Sequence, residues 1–312
     1  MAEQQEFMVY VNGNIVPESQ AMISALDRGF RWGDAVYDTE RTFAGQIFKL
    51  DAHLDRLYRS LQYTHINAGL SQKEMKNITL EVVEANQPLL EKHGDFNVNQ
   101  VVSRGNLSQD VHKGANVAVY CRPITLKKYA QHYIKGVKAA TSTTRRTPPE
   151  SLSPKAKIAN KMNHFVSEFE AKQVDPETFV LMLDLHGNVT EGAGSNFMFI
   201  KDNCIKIPNR RNVLQGITME TVLEFAENLG LECEEGDYTP YDVYMADEAF
   251  FCTSTACLLP ATSLNGQTIG NGEVPGPITK SLFGAFSDVA GFDIMDQALG
   301  FLPKNERQAL EG

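Results

Sequence analysis

No two cysteines stand at CxxC spacing, no long basic run occurs, and no apolar run is long enough to span a bilayer. Each absence removes a class of function. The five cysteines, Cys121, Cys204, Cys233, Cys252 and Cys257, are odd in number and scattered. That fits free thiols in a reducing compartment and argues against a disulfide framework. The net charge of -10 disfavours nucleic acid and anionic membranes as partners and mainly favours solubility. The opening residues, Met1-Ala2-Glu3-Gln4-Gln5-Glu6, are acidic and polar and do not read as a secretory signal. The expectation is a cytoplasmic protein with small-molecule partners and no metal. With 312 residues and 42% hydrophobic content, the chain can bury two sizeable cores.

The first half reads as alternating hairpins and helices. Met8 to Val11 and Asn14 to Val16 flank Asn12-Gly13, a pair suited to the positive φ angles of a tight hairpin turn. Val36 to Phe43 and Gln46 to Leu50 suggest a second hairpin through Ala44-Gly45. Asp51 is placed to cap a helix carrying Leu54, Leu57, Tyr58 and Leu61 at helical spacing. Ser71 and Glu74 match a capping box before a stripe of Met75, Ile78, Val82 and Val83, and Pro88 ends that helix. Asn97 to Ser103 and Asn116 to Cys121 read as strands. Arg122 to Lys135 is polar and weakly patterned and reads as a linker.

The second half opens with a strand near Val137 to Ser142, then a loop rich in Thr, Arg and Pro reaching Lys155. An amphipathic helix beginning at Lys157 is expected to carry Met162, Phe165, Val166 and Phe169. Further helices are expected over Thr218 to Leu229 and Pro277 to Phe286. The tail after Phe301 is polar.

The most informative stretch is Thr190-Glu191-Gly192-Ala193-Gly194-Ser195-Asn196-Phe197. It sets a carboxylate beside a small-residue turn between the apolar strands Phe179 to Leu185 and Phe197 to Ile200. A carboxylate pinned there can be held against a cation. Around it stand Pro154-Lys155-Ala156-Lys157-Ile158-Ala159-Asn160, Leu214-Gln215-Gly216-Ile217-Thr218, and Ala246-Asp247-Glu248 through Thr253-Ser254-Thr255-Ala256. Near the N-terminus stand Leu26-Asp27-Arg28-Gly29-Phe30 and Asp51-Ala52-His53-Leu54-Asp55-Arg56-Leu57. Gly216-Ile217-Thr218 opens a helix, whose free N–H groups and positive dipole end favour a dianionic phosphate. Lys155, Lys157 and Lys161 can each be read as part of a solvated cluster.

In this order and spacing the segments resemble the class IV aminotransferases, pyridoxal-phosphate enzymes of fold type IV. That group takes in branched-chain and D-amino acid aminotransferases, (R)-selective amine transaminases and 4-amino-4-deoxychorismate lyase. The resemblance runs from about Met8 to about Phe286. It implies an α+β, two-domain fold with a small N-terminal α/β domain and a larger, barrel-like C-terminal α/β domain. The boundaries expected are 1–122, an interdomain loop over 123–134, and 135–312. It also implies a homodimer, because the family's counterpart of the 103–114 loop reaches the neighbouring subunit. The cofactor implied is pyridoxal 5'-phosphate.

The family pattern selects Lys157, with Asn160 three residues on, for the Schiff base and for the proton shuttle. Glu191 is implied to accept from the ring nitrogen. Arg56, Gly216, Ile217, Thr218, Ser254 and Thr255 are implied to hold the phosphate. Tyr37, Arg41, His112, Thr255 and Ala256 are the substrate-side candidates. The sequence also departs from the pattern. Met162 stands where branched-chain enzymes carry a Tyr, and Tyr37-Asp38 looks like the (R)-amine subgroup. Asn106 to Gly114 lacks the arginine of D-amino acid and (R)-amine enzymes, which leaves Arg41, His112 or Lys113 for a carboxylate. The activity implied is amino transfer between an amino acid or (R)-amine and a 2-oxo acid. A D-amino acid aminotransferase or a lyase of the same fold is the alternative.

Overall fold

A computed structural model of the chain describes residues 6–111, 114–173 and 175–311. They form two compact units. One runs through Ile124 and takes back Ala156–Lys161; the other holds Thr125–Lys155 and continues from Met162.

The first unit is built on a six-stranded sheet. Its strands are β1 (Met8–Val11), β2 (Asn14–Pro17), β3 (Ala35–Phe43), β4 (Gln46–Ile47), β5 (Phe96–Ser103) and β6 (Asn116–Pro123), in the order β2-β1-β6-β5-β3-β4. Its helices are α1 (Arg28–Trp32), α2 (Leu50–Thr64), α3 (Gln72–Asn86) and α4 (Leu90–His93). The Asn12-Gly13 turn has φ of 48° and 101°, as that pair suits. Ser71 and Glu74 do form the capping box of α3. Asp51 does not cap α2. The helix starts one residue earlier behind Lys49, whose φ is 51°, and Asp51 instead pairs with Lys76 at 2.6 Å.

The core of this unit packs α2 and α3 on the sheet. Leu54, Leu57 and Leu61 of α2 and Met75, Val82 and Val83 of α3 meet Val36, Val98 and Val102. Along β3, Val36, Asp38, Glu40 and Thr42 are all fully buried. Two carboxyls therefore lie in the layer that period-2 alternation assigns to the core.

The second unit carries an eight-stranded sheet. Its elements in order are α5 (Leu126–Lys135), β7 (Val137–Thr141), α6 (Met162–Lys172), β8 (Phe179–Leu181), β9 (Asn196–Lys201), β10 (Cys204–Pro208), α7 (Ile217–Asn228), β11 (Glu232–Gly236), α8 (Pro240–Tyr244), β12 (Glu248–Thr253), β13 (Cys257–Leu264), β14 (Gln267–Thr268), α9 (Pro277–Ala290), α10 (Ile294–Gly300) and α11 (Lys304–Glu311). The sheet order is β11-β10-β9-β12-β13-β7-β8, with β14 on β13. Parallel pairs join β10 to β11, β13 to β7, and β7 to β8. Phe197, Phe199, Phe250 and Phe251 fill the core of the sheet.

Two expectations change here. The expected linker is largely the helix α5, which buries Leu126, Ala130 and Tyr133 at i, i+4 and i+7. The helix after Lys157 begins only at Met162. Its stripe of Met162, Phe165, Val166 and Phe169 is exposed, while His164, Ser167 and Ala171 face inward. The polar tail after Phe301 holds the helix α11.

Candidate active site

Lys157 belongs to the first unit, on an extended segment laid along the edge of β3. Ile158 bridges Val36, the Tyr37 N–H donates to the Lys157 carbonyl at 3.1 Å, and the Ala159 N–H donates to Ala35 at 2.8 Å. The Lys157 N–H donates to Ser60 Oγ on α2 at 3.0 Å. The backbone of Lys157 is thus fixed on two sides. Its Nζ lies 4.6 Å from the centre of the Tyr37 ring, a cation–π placement. Lys155 is exposed, so the geometry separates it from Lys157.

Arg56 lies one turn before Ser60 on the buried face of α2. Its Nε and Nη2 donate to the two oxygens of Asp38 at 2.9 and 2.6 Å. His53 Nδ1 meets Asp38 Oδ1 at 2.8 Å. His53 and Arg56 are three residues apart and so share a helix face. Burial alone would push the Asp38 carboxyl up, but Arg56 and His53 hold it well below the usual carboxylate range. Burial pushes the His53 imidazole below its ordinary value, against the pull of Asp38. Glu40, two residues on, is driven well above the carboxylate range by burial and then by the Asp38 charge. Neither of its carboxyl oxygens reaches a hydrogen-bond partner among the described residues. Burial and the Asp38 charge thus favour the protonated form of Glu40.

Arg41 is not placed to receive a substrate. It is buried, its Nε donates to the Thr42 carbonyl at 3.1 Å, its Nη2 lies 3.8 Å from Asp95, and its guanidinium stacks 4.2 Å from the Phe43 ring. Arg104 is likewise committed, donating to Asp34 at 2.7 and 3.0 Å and to the carbonyls of Thr64 and His65. Arg28 pins the loop beyond β5 through the carbonyls of Asn106, Leu107 and Gln109. The candidates His112 and Lys113 lie outside the described residues.

In the second unit Glu191 is buried and held at both oxygens. Arg146 Nε donates to Oε1 at 2.8 Å, and the Leu214 N–H donates to Oε2 at 2.9 Å. His164 Nε2 lies 3.7 Å from Oε1. The small-residue turn closes where the Gly192 N–H donates to Ser195 at 2.8 Å, and a Cβ on Gly192 would collide with Ser195 Oγ. Glu191 then bridges Asn196 at the start of β9. Asn196 Nδ2 donates to the Leu214 carbonyl at 2.8 Å. A Cβ on Gly216 would collide with Asn196 Oδ1, so this approach requires glycine. One network thereby links the carboxylate to the start of α7, where Ile217 and Thr218 are buried.

The α7 N-cap is Gly216, and no side chain caps the helix. Its first N–H groups point along the positive end of the helix dipole. Strand register brings a further piece to the same end. Cys252 of β12 pairs Asn196 of β9, so the Thr253-to-Ala256 turn follows directly. Within it the Ala256 N–H donates to Thr253 Oγ1 at 2.9 Å, and the Ala256 carbonyl accepts from Tyr133 at 2.8 Å. Ala256 is fully buried and Ser254 and Thr255 are half-buried.

Sequence reasoning missed Arg146, His164, Asn196, Asp38 as an Arg56 partner, and His53. Only His53 carried a local signal, its i, i+3 spacing to Arg56. The others meet partners far away in the chain, from loop, helix and strand, which a single chain does not spell out.

The comparisons with known proteins show the family and the fold. The family model for amino-transferase class IV matches residues 35–264. A D-alanine aminotransferase of Bacillus licheniformis is 34% identical over 88% of this chain and 94% of its own length. A Methanocaldococcus jannaschii protein named for branched-chain-amino-acid aminotransferase activity is 32% identical over 90% of this chain and 96% of its own. The structure of a T.th. branched-chain amino acid aminotransferase with pyridoxamine 5'-phosphate superposes with a TM-score of 0.83, at 26% identity, over 92% of this chain and 95% of that one. The chain is an aminotransferase of fold type IV. It belongs to the class IV aminotransferase family, whose cofactor is pyridoxal 5'-phosphate. No helix among the described residues is long and apolar enough to cross a membrane.

Proposed function

We propose that Lys157 carries the cofactor of this aminotransferase and that amino transfer runs between an amino acid or (R)-amine and a 2-oxo acid. The observation that carries the reading is the fixing of Lys157. Its backbone is bonded to β3 and to Ser60, while its amine stands over Tyr37. A lysine held this way keeps a mobile amine on a rigid base, which suits both attachment and proton transfer.

The chain's residues fit the cofactor's three chemical needs. Glu191 supplies a buried carboxylate for the ring nitrogen, and Arg146 and Leu214 hold that carboxylate still. Arg56 in the first unit and, in the second, the uncapped start of α7 at Gly216, Ile217 and Thr218 with Ser254 and Thr255 each offer donors that suit a phosphate dianion. When bound, the cofactor supplies a carbonyl that accepts the amino group and a pyridinium ring that withdraws electrons. Lys157 would then move the proton between the substrate carbon and the cofactor carbon, in one direction in each half of the reaction. Tyr37 and Thr255 are proposed to bound the substrate, with His112 as a further candidate. Borohydride trapping and peptide mapping test the central assignment. The label is expected on Lys157, and a label on Lys155 or Lys161 refutes it.

The substrate is set by an amino-donor panel against pyruvate and 2-oxoglutarate, run with both enantiomers. Turnover is expected only with an acceptor. Pyruvate release from an aminochorismate without any acceptor would favour the lyase reading, which a 29% identical aminodeoxychorismate lyase of Bacillus subtilis keeps open.

A cytoplasmic homodimer is proposed as the working unit. The exposed stripe on α6, with Met162 at 68% and Phe169 at 69%, supports a covering second copy. Mixing Lys157→Ala subunits with subunits disabled in the 103–114 loop should regenerate activity. Mixed dimers that stay inactive would overturn the shared-site part of this reading.

A further inference from the structure

The phosphate reading above gives Arg56 its purpose, but the structure gives Arg56 company that this purpose does not explain. Asp38 accepts from Arg56 through both oxygens and meets His53 Nδ1 on one of them. Arg56 Nη2 lies only 3.4 Å from His53 Nδ1. All three side chains are nearly or fully buried. One carboxylate therefore serves a guanidinium and an imidazole together.

We propose that Asp38 and His53 are positioning residues for Arg56, and that His53 takes up a proton when a phosphate dianion arrives at that guanidinium. The inference rests on the assignment of Arg56 to the cofactor phosphate. Without a ligand, the positive charge of Arg56 is matched by Asp38. A dianion at the same guanidinium adds negative charge to a buried cluster, and some group must answer it. The groups facing His53 are Asp38 and Glu40 from β3, Arg56 from its own helix and Lys157 from the edge segment. Arg56 is charged throughout. Asp38 is already held by two partners, Arg56 and His53, and burial already favours the protonated form of Glu40. His53 is neutral, buried, and hydrogen-bonded to the shared carboxylate. Its Nδ1–H already points at Asp38, so the incoming proton goes from solvent to Nε2. The imidazolium then takes over part of Asp38, and Arg56 turns more of its charge to the phosphate.

The sign follows from linkage. His53 starts below its ordinary value, and ligand binding raises it. Affinity must therefore strengthen as pH falls through the raised value.

The probe is pyridoxamine 5'-phosphate binding to cofactor-free full-length protein, followed by calorimetry near neutral pH in two buffers of different ionisation enthalpy. A ligand without an aldehyde leaves attachment to Lys157 out of the proton count. Wild type is expected to take up more protons than His53→Gln, by up to about one per site. The ratio of the two dissociation constants is expected to widen by up to about tenfold per pH unit on lowering the pH toward neutrality. His53→Asn, which keeps a donor near the Nδ1 position, should behave like His53→Gln and guards against a misfolded variant. Equal proton counts in all three, with Arg56→Ala binding weakly, overturn the proton coupling alone. An Arg56→Ala protein that binds as tightly as wild type overturns the phosphate assignment and this inference with it.

Discussion

Replacing Glu40 with Gln should stabilise the protein, and by more at each step up in pH. Glu40 is fully buried in β3, no partner among the described residues bonds its carboxyl oxygens, and burial and Asp38 keep it protonated. In the unfolded chain the same carboxyl ionises near its ordinary value of 4.5. Folding above that pH must therefore put a proton back. For a group whose folded value is raised, stability is full below the unfolded value and falls as pH rises toward the folded one. Each unit in that window costs wild type about 1.4 kcal/mol. Gln has nearly the same shape, carries no such penalty, and neighbours Gln100, whose Oε1 reaches no partner among the described residues. A difference of about 1.4 kcal/mol moves a melting temperature by roughly 3–6 °C for units of this size. Thermal scans of both proteins from about pH 5 upward should diverge at about that rate per unit. Parallel curves would refute the reasoning, because they would mean Glu40 ionises alike in both states. Contributions of His53 and Asp38 to the pH profile are common to both proteins and cancel in the difference.

Three further outcomes follow from the same geometry. Glu191→Gln should keep the fold but slow turnover about ten- to a hundredfold or more, since one charge-assisted hydrogen bond is worth roughly 1.5–3 kcal/mol; an unchanged turnover number would remove Glu191 from the chemistry. Gly216→Ala should cost about 1–3 kcal/mol by driving a Cβ against Asn196 Oδ1, and a denaturation series should show Asn196→Ala recovering part of the loss. Arg28→Met should leave the carbonyls of Asn106, Leu107 and Gln109 without their donor, and hydrogen exchange should speed up through 104–111 while the strands of the sheet stay protected.

Much of the backbone plan was legible because local chemistry and the final fold agree. Asn12-Gly13 makes its turn, Ser71 and Glu74 cap α3, and Gly216-Ile217-Thr218 opens α7. What escaped was orientation. The stripe of Met162, Phe165, Val166 and Phe169 is real, but periodicity says which residues share a face and not which face is inward. On α5 the buried set Leu126, Ala130 and Tyr133 is sparse, and Lys127, Lys128, Gln131 and Lys135 dilute it below what a short window detects. Lys157 could be picked by its register with a family pattern, yet its support could not, because the pairing with β3 joins residues more than a hundred positions apart.

β3 shows why the candidate site resists reading from the chain alone. Alternation along Val36-Tyr37-Asp38-Thr39-Glu40 puts two acids on the face that packs against α2, where apolar residues are the stable choice. A strand with that sequence, judged by hydrophobicity, is assigned the opposite face. The fold tolerates the acids because it treats them differently: Asp38 is charged and held by Arg56 and His53, and Glu40 is discharged. Removing one partner from such a buried pair costs about 3–5 kcal/mol, whereas an apolar replacement of the whole pair can be neutral. Stability alone therefore does not account for the cluster. A cation kept oriented in a dry layer, beside a lysine fixed on the same strand, is an arrangement suited to holding an anion, and that is the use the proposed function gives it.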